Sequence, residues 1–99
     1  MPQYVVIAYD GTDAAALDRR MAVRPAHLEN VKPMVAAGQL VAGGAILDEA
    51  GKMVGSVVIC DFAEKADFDH WLNTDPYITG KVWQKIEVKP FRLAVLAKQ

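Results

Sequence analysis

Two rhythms of apolar residues run along this chain, one of period two and one of period three to four. Residues 3 to 9, Gln-Tyr-Val-Val-Ile-Ala-Tyr, are rich in β-branched and aromatic side chains and end at Asp10-Gly11, a turn signal, so the first element is predicted to be a strand. From about 13 to 37 the apolar positions recur at helical spacing, with Thr12 or Asp13 available as N-cap and Gly38 as C-cap. Leu17, Met21, Leu28 and Val35 mark the expected buried stripe. Pro25 suits the first position of a second helical segment, and Pro33 within it implies a kink. Leu40 to Leu47 and Met53 to Asp61 are predicted to pair as a hairpin about the polar turn 48 to 52. Glu64 to Asn73 reads as a second helix that buries Phe68, Trp71 and Leu72 and turns His70 away. Asp75-Pro76-Tyr77 breaks it. After a loop to Gly80, Val82 to Leu96 is predicted to be extended, with Pro90 marking an edge or a bulge.

The resulting order, β-α-β-β-α-β, is the ferredoxin-like α+β plan with an antiparallel sheet. Two helices can cover one face of such a sheet, yet the strands are apolar on both. Tyr4, Val6 and Ala8 alternate with Val5, Ile7 and Tyr9, and Val57 and Ile59 oppose Ser56, Val58 and Cys60. A solvated face normally alternates polar with apolar residues, so the missing alternation predicts a homodimer packed through its sheet faces.

Composition narrows the function classes. Ninety-nine residues, 53% hydrophobic and 23% charged, are read as one folded domain over 1–99. A net charge of −1 offers no basic footprint, so no nucleic-acid partner is expected. No stretch has the roughly 18 to 20 apolar residues of a membrane span, so no membrane partner is expected. The apolar run at the N-terminus has no basic leader and meets Asp10 too soon for a signal peptide. With one cysteine, Cys60, no internal disulfide can form, and a cytoplasmic location is expected.

Candidate chemistry gathers on the first helix. Arg20, Arg24 and His27 fall within roughly 60° of one another around a helix axis, so their side chains can converge. Cations are costly to bury unless they are paired or line a wet cavity. A histidine can take up and release a proton near neutrality, and arginines can clamp a carboxylate or phenolate. A packed histidine, and salt bridges from the arginines to Asp18, Asp69 or another carboxylate, are the ordinary alternatives. Asp75 is placed to orient His27, or simply to cap the turn that Pro76 begins. Ser56 interrupts an apolar strand and is a candidate hydrogen-bond donor to a substrate. Gly43-Gly44 suggests close backbone approach, to a neighbouring element or to a ligand. Cys60 and Trp71 read as core, while Tyr77 and Trp83, in or next to loops, are core by default, with a pocket wall or the dimer interface as the alternatives. Two distant histidines and one cysteine give no metal-ligand spacing, and no cofactor is expected.

These pieces together resemble the YCII (YciI-like) family over nearly the full length. The matching features are Tyr4-Val5-Val6, Arg20-x3-Arg24-x2-His27-Leu28, Gly43-Gly44-Ala45, Gly55-Ser56-Val57, Trp71, Asp75-Pro76-Tyr77 and Ile86-Glu87-Val88-Lys89-Pro90-Phe91. The resemblance implies a dimeric α+β barrel whose pocket holds His27 and Asp75 as catalytic pair, with Arg20, Arg24, Ser56, Gly44 and Tyr77 around the substrate. Stretches such as Thr79-Gly80-Lys81-Val82-Trp83 are similar to a subgroup that dehydrochlorinates a chlorinated hydroxyhydroquinone. The expected function is therefore proton-transfer chemistry on a small hydroxylated, aromatic molecule; a binding or accessory dimer using the same pocket is the competing reading.

Overall fold

The computed structural model describes residues 2–97. The elements are β1 (Gln3–Asp10), α1 (Ala16–Ala36), β2 (Leu40–Leu47), β3 (Met53–Asp61), α2 (Lys65–Thr74), α3 (Pro76–Thr79) and β4 (Trp83–Pro90). The four strands form one antiparallel sheet in the order β2-β3-β1-β4, the ferredoxin-like arrangement. Inward residues of the central strands, Val6 and Ala8 on β1 with Val58 and Cys60 on β3, pack beneath the helices with Phe62, Phe68, Trp71 and Tyr77. No helix among the described residues is long and apolar enough to cross a membrane.

Four local expectations are corrected. First, α1 runs unbroken from 16 to 36 through both prolines, and Ala15, not Thr12 or Asp13, occupies its N-cap position. Each proline withholds one N–H, which frees the carbonyls of Met21 and Glu29. Both of those residues are exposed, where water can take the place of the lost bonds. Gly38 does end the helix, with φ +75° and the Gln39 N–H closing on the Met34 carbonyl at 2.8 Å.

Second, the stripe facing the sheet is not 17-21-28-35. Arg20, Val31 and Met34 are buried there and Val23 packs against the core, whereas Met21, Leu28 and Val35 are 46%, 41% and 56% exposed. The sheet-facing series 20-24-27-31-34 has the same 3–4 spacing, but it carries the cations and the imidazole, so hydropathy alone points to the wrong side.

Third, residues 76–79 are a short helix, α3, rather than a loop. Asp75 breaks α2 with an extended ψ of 138° and then caps α3 by accepting the Tyr77 N–H.

Fourth, β4 ends at Pro90, not Leu96. Beyond it the Phe91 N–H reaches the Gln3 carbonyl at 3.0 Å and the Leu93 N–H reaches Gln3 Oε1 at 2.8 Å, so the chain follows the start of β1 without extending the ladder.

A bulge interrupts the sheet where β1 ends. The β1–β4 register shifts between Tyr9 and Asp10, so that Asp10 faces Trp83 instead of Gln84. The extra residue turns the Trp83 indole to the inward side shared by Asp10 and Ser56.

Candidate active site

The first helix, the inward face of β3 and the α2–α3 junction converge on one small cavity. Its centre is His27. The Asp75 side chain is fully buried and lies 2.8 Å from His27 Nδ1 through Oδ1 and 3.1 Å through Oδ2. Two further donors hold that carboxylate: Trp71 Nε1 donates to Oδ2 at 3.0 Å, and the Tyr77 backbone N–H donates to Oδ1 at 2.8 Å. With both oxygens engaged as acceptors, Nδ1 of His27 is the donor to Asp75, so in the neutral ring the lone pair belongs to Nε2. The imidazole stacks on Tyr77 at 4.0 Å between ring centroids and 12° between planes, which fixes its tilt.

A second network lies beside the first. Arg20 Nη1 donates to both oxygens of Asp10 at 3.0 and 3.1 Å, and Arg20 Nη2 donates to Ser56 Oγ at 2.8 Å. Trp83 Nε1 donates to the same Ser56 oxygen at 3.1 Å. The Arg20 guanidinium carbon sits 4.8 Å from the centroid of the Tyr77 ring, linking the two networks through one aromatic side chain. Burial pushes the Asp10 carboxyl above the ordinary carboxylate range, against the pull of Arg20. It likewise pushes the Tyr77 hydroxyl up, with Arg20 and Arg24 pulling the other way.

The cavity holds about 180 Å³ and is lined by Arg20, Arg24, His27, Ser56 and Tyr77, with Gly43, Gly44 and Ala45 of β2 along one rim and Leu28, Val31, Leu40 and Val58 completing the wall. Arg20, Arg24, His27, Ser56, Gly44 and Tyr77 therefore border it, Asp75 stands directly behind His27, and Trp83 lies in the core, holding Ser56 without lining the cavity. Gly44 serves no close approach between protein elements, because a Cβ built on it would meet nothing within 4 Å. Arg20 and Arg24 differ sharply. Arg20 is neutralised by Asp10, not by Asp18 or Asp69, whereas no hydrogen bond or ion pair among the described residues engages the Arg24 guanidinium. A larger, more open groove of about 920 Å³ is lined by Tyr9, Asp10, Leu17, Asp48, Met53 and Lys85 among others, and shares Asp10 with the buried network.

Asp10 is the member that sequence reasoning missed, having been read as part of a turn. The signal was present: counting by twos from Tyr4 through Val6 and Ala8 puts Asp10 on the inward face. An acid in phase with a buried row calls for a buried cation.

The model of the YCII-related domain matches residues 2–92. The chain belongs to this family. Protein YciI of Escherichia coli is 34% identical to this YCII protein over 95 residues, covering 90% of this chain and 95% of its own. Among solved structures, the 5-chloro-2-hydroxyhydroquinone dehydrochlorinase TftG of Burkholderia phenoliruptrix, in complex with 2,5-dihydroxybenzoquinone, matches with a TM-score of 0.78 at 18% identity, over 93% of this chain and 95% of that one. A dimeric ferredoxin-like protein from Jannaschia matches with a TM-score of 0.54 at 15% identity, over 94% of this chain and 100% of that one. At such identities the two structural matches speak for the fold.

Proposed function

We propose that this YCII protein is an acid–base enzyme in which the His27–Asp75 pair moves a proton on a small hydroxylated aromatic or quinol-like substrate. The observation that carries this reading is the 2.8 Å contact between His27 Nδ1 and an Asp75 carboxylate whose oxygens are also held by Trp71 and Tyr77. That contact supports a neutral ring with Nε2 as proton acceptor, and it would steady the imidazolium that forms when Nε2 accepts. A ring hydroxyl gives its proton to Nε2, and the imidazolium returns it to a ring carbon, producing the keto tautomer. Where that carbon bears chlorine, loss of a second hydroxyl proton expels chloride, so the sum is elimination of HCl and formation of a quinone. TftG, of similar fold, is named as a dehydrochlorinase of such a compound, and the proposal assigns the proton transfers here to His27 and Asp75. The proton transfers themselves call for no electron acceptor.

The reading is tested by following chloride release from a chlorinated hydroxyhydroquinone, together with solvent-deuterium incorporation into unchlorinated hydroxyhydroquinone. His27→Ala is expected to abolish both while leaving the circular dichroism spectrum intact. Turnover that survives in His27→Ala overturns the assignment; tight binding with neither reaction in the wild type favours a binding module instead.

The same proposal includes pairing of two copies through their sheets. The face of the sheet away from the helices carries Val5, Ile7 and Tyr9 of β1 beside Val57 and Ile59 of β3, and the Jannaschia protein of similar fold is dimeric.

A further inference from the structure

We infer that the cavity selects a single-ring monoanion that offers a hydroxyl to His27 and an adjacent anionic oxygen to Arg24 and Ser56. This rests on the proton-transfer reading for the role of His27, but its charge and donor argument stands on other residues.

The donor pattern begins with Ser56. Its oxygen accepts from Arg20 Nη2 at 2.8 Å and from Trp83 Nε1 at 3.1 Å, so both lone pairs are occupied. No acceptor among the described residues takes its hydrogen. A hydroxyl so placed has one thing left to do, which is to donate, and Ser56 lines the cavity. Arg20 and Trp83 are thus positioning residues that turn a serine of either polarity into an obligate donor.

The charge balance gives the second constraint. Arg20 is matched by Asp10, and Asp75 is engaged behind the wall by His27, Trp71 and Tyr77, which leaves the half-buried Arg24 as the one arginine on the cavity wall with no hydrogen bond or ion pair among the described residues. A cation held there favours an anion of one charge; a neutral ligand leaves it unpaired, and a dianion brings a charge with no counterpart. With Ser56 and Arg24 as donors and His27 Nε2 as acceptor, the complementary ligand carries an oxyanion or carbonyl oxygen next to a hydroxyl.

Size gives the third. An enclosed space of about 150 Å³ accommodates benzene, so the 180 Å³ here suits one six-membered ring with a few substituents.

Three commercially available probes of nearly equal size separate these demands: salicylate, a monoanion with a neighbouring hydroxyl; salicylamide, its neutral counterpart; and phthalate, the dianion. Calorimetric titration of the wild-type protein is expected to give salicylate at least a tenfold lower Kd than either of the others. Arg24→Gln should erase that preference and Arg24→Lys should retain it, whereas His27→Gln should weaken salicylate and salicylamide, which offer a hydroxyl to the ring, and keep salicylate ahead of salicylamide. Equal binding of the three probes by the wild type, or an unchanged preference in Arg24→Gln, overturns the inference even if deuterium incorporation shows His27 to be catalytic. A preference for salicylate in a protein that catalyses no exchange leaves the charge selection standing and removes the proposed reaction.

Discussion

Arg20 and Asp10 form an ion pair 3.0 Å long in which each side chain is 3% exposed, anchored at the end of β1 and the first full turns of α1. Two charges so far from water are stable only together. Arg20→Met leaves a buried carboxylate without its cation and is expected to cost about 3–5 kcal/mol. The double replacement Arg20→Met with Asp10→Leu removes both charges and should recover most of that loss. Urea denaturation of the two single variants and the double variant measures the coupling; additive losses would mean that the pair does not act as a unit.

Asp75 is held by three donors at once, so replacing it with asparagine turns one acceptor atom into a donor whichever way the amide is oriented. Asp75→Asn is expected to lower stability by about 1–3 kcal/mol through the unsatisfied group. Because the network no longer assigns the ring proton to Nδ1, proton transfer should fall by about 10² to 10⁴. Parallel unfolding and solvent-deuterium exchange measurements separate the two effects. Full exchange at reduced stability would confine Asp75 to a capping role.

Local interactions were legible in the sequence, and most long-range ones were not. Strand alternation, the Gly38 stop and the hairpin all depend on neighbouring residues, and the topology followed from their order. The convergence of Arg20, Arg24 and His27 was legible because helical spacing fixes it. The buried stripe of α1 was misread because its sheet-facing positions carry polar residues matched by partners on distant strands. The continuity of α1 through Pro25 and Pro33 depends on where the freed carbonyls point. The inward turn of Trp83 depends on a register shift between β1 and β4, a property of the pair that neither strand encodes alone.

Cys60 lies in the core with no exposure, and burial pushes its thiol up to about 12 from an ordinary 9.0. Alkylation by iodoacetamide at pH 8 is therefore expected to be negligible in the folded protein and rapid in urea, since the thiolate is the reactive form. The sign of the linkage also follows. Below pH 9 the thiol is protonated in both states; above it the unfolded chain releases a proton that the folded chain keeps, so stability falls as pH rises toward 12. Cys60→Ser should shift that alkaline loss, and an unchanged profile would assign it to other groups.

Two glycines make opposite predictions. A Cβ on Gly55 would stand 2.5 Å from the Ala8 carbonyl oxygen, a backbone atom fixed by the β1–β3 ladder, whereas one on Gly44 meets nothing within 4 Å. Gly55→Ala should cost about 1–3 kcal/mol by overpacking. Gly44→Ala should be neutral or stabilising by up to about 1 kcal/mol, through reduced freedom of the unfolded chain. Thermal denaturation of both variants tests the contrast. A large loss in Gly44→Ala would mean that something outside the single chain, such as a second copy, approaches that strand.

Pairing through the sheets can be tested where the open face is most apolar. Ile7 and Val57 are directly opposed in the β1–β3 register, with Val5 and Ile59 as the next pair on the same face, while Lys85, Glu87 and Lys89 follow along β4. The apolar surface is thus concentrated on the central strands and bounded by charge on one side, the pattern of an interface core with a polar rim. In a single chain Ile7→Lys places an ammonium on a half-open surface, where its stem can lie flat and its head can reach water. In a sheet-to-sheet dimer the two-fold axis buries two such groups, at several kcal/mol each, so association should weaken by at least about 10³. Sedimentation across micromolar concentrations is expected to find the wild type dimeric and Ile7→Lys monomeric, with the same far-ultraviolet circular dichroism. A wild type that sediments as a monomer at micromolar concentration overturns the pairing, and a variant that remains dimeric moves the interface to another face.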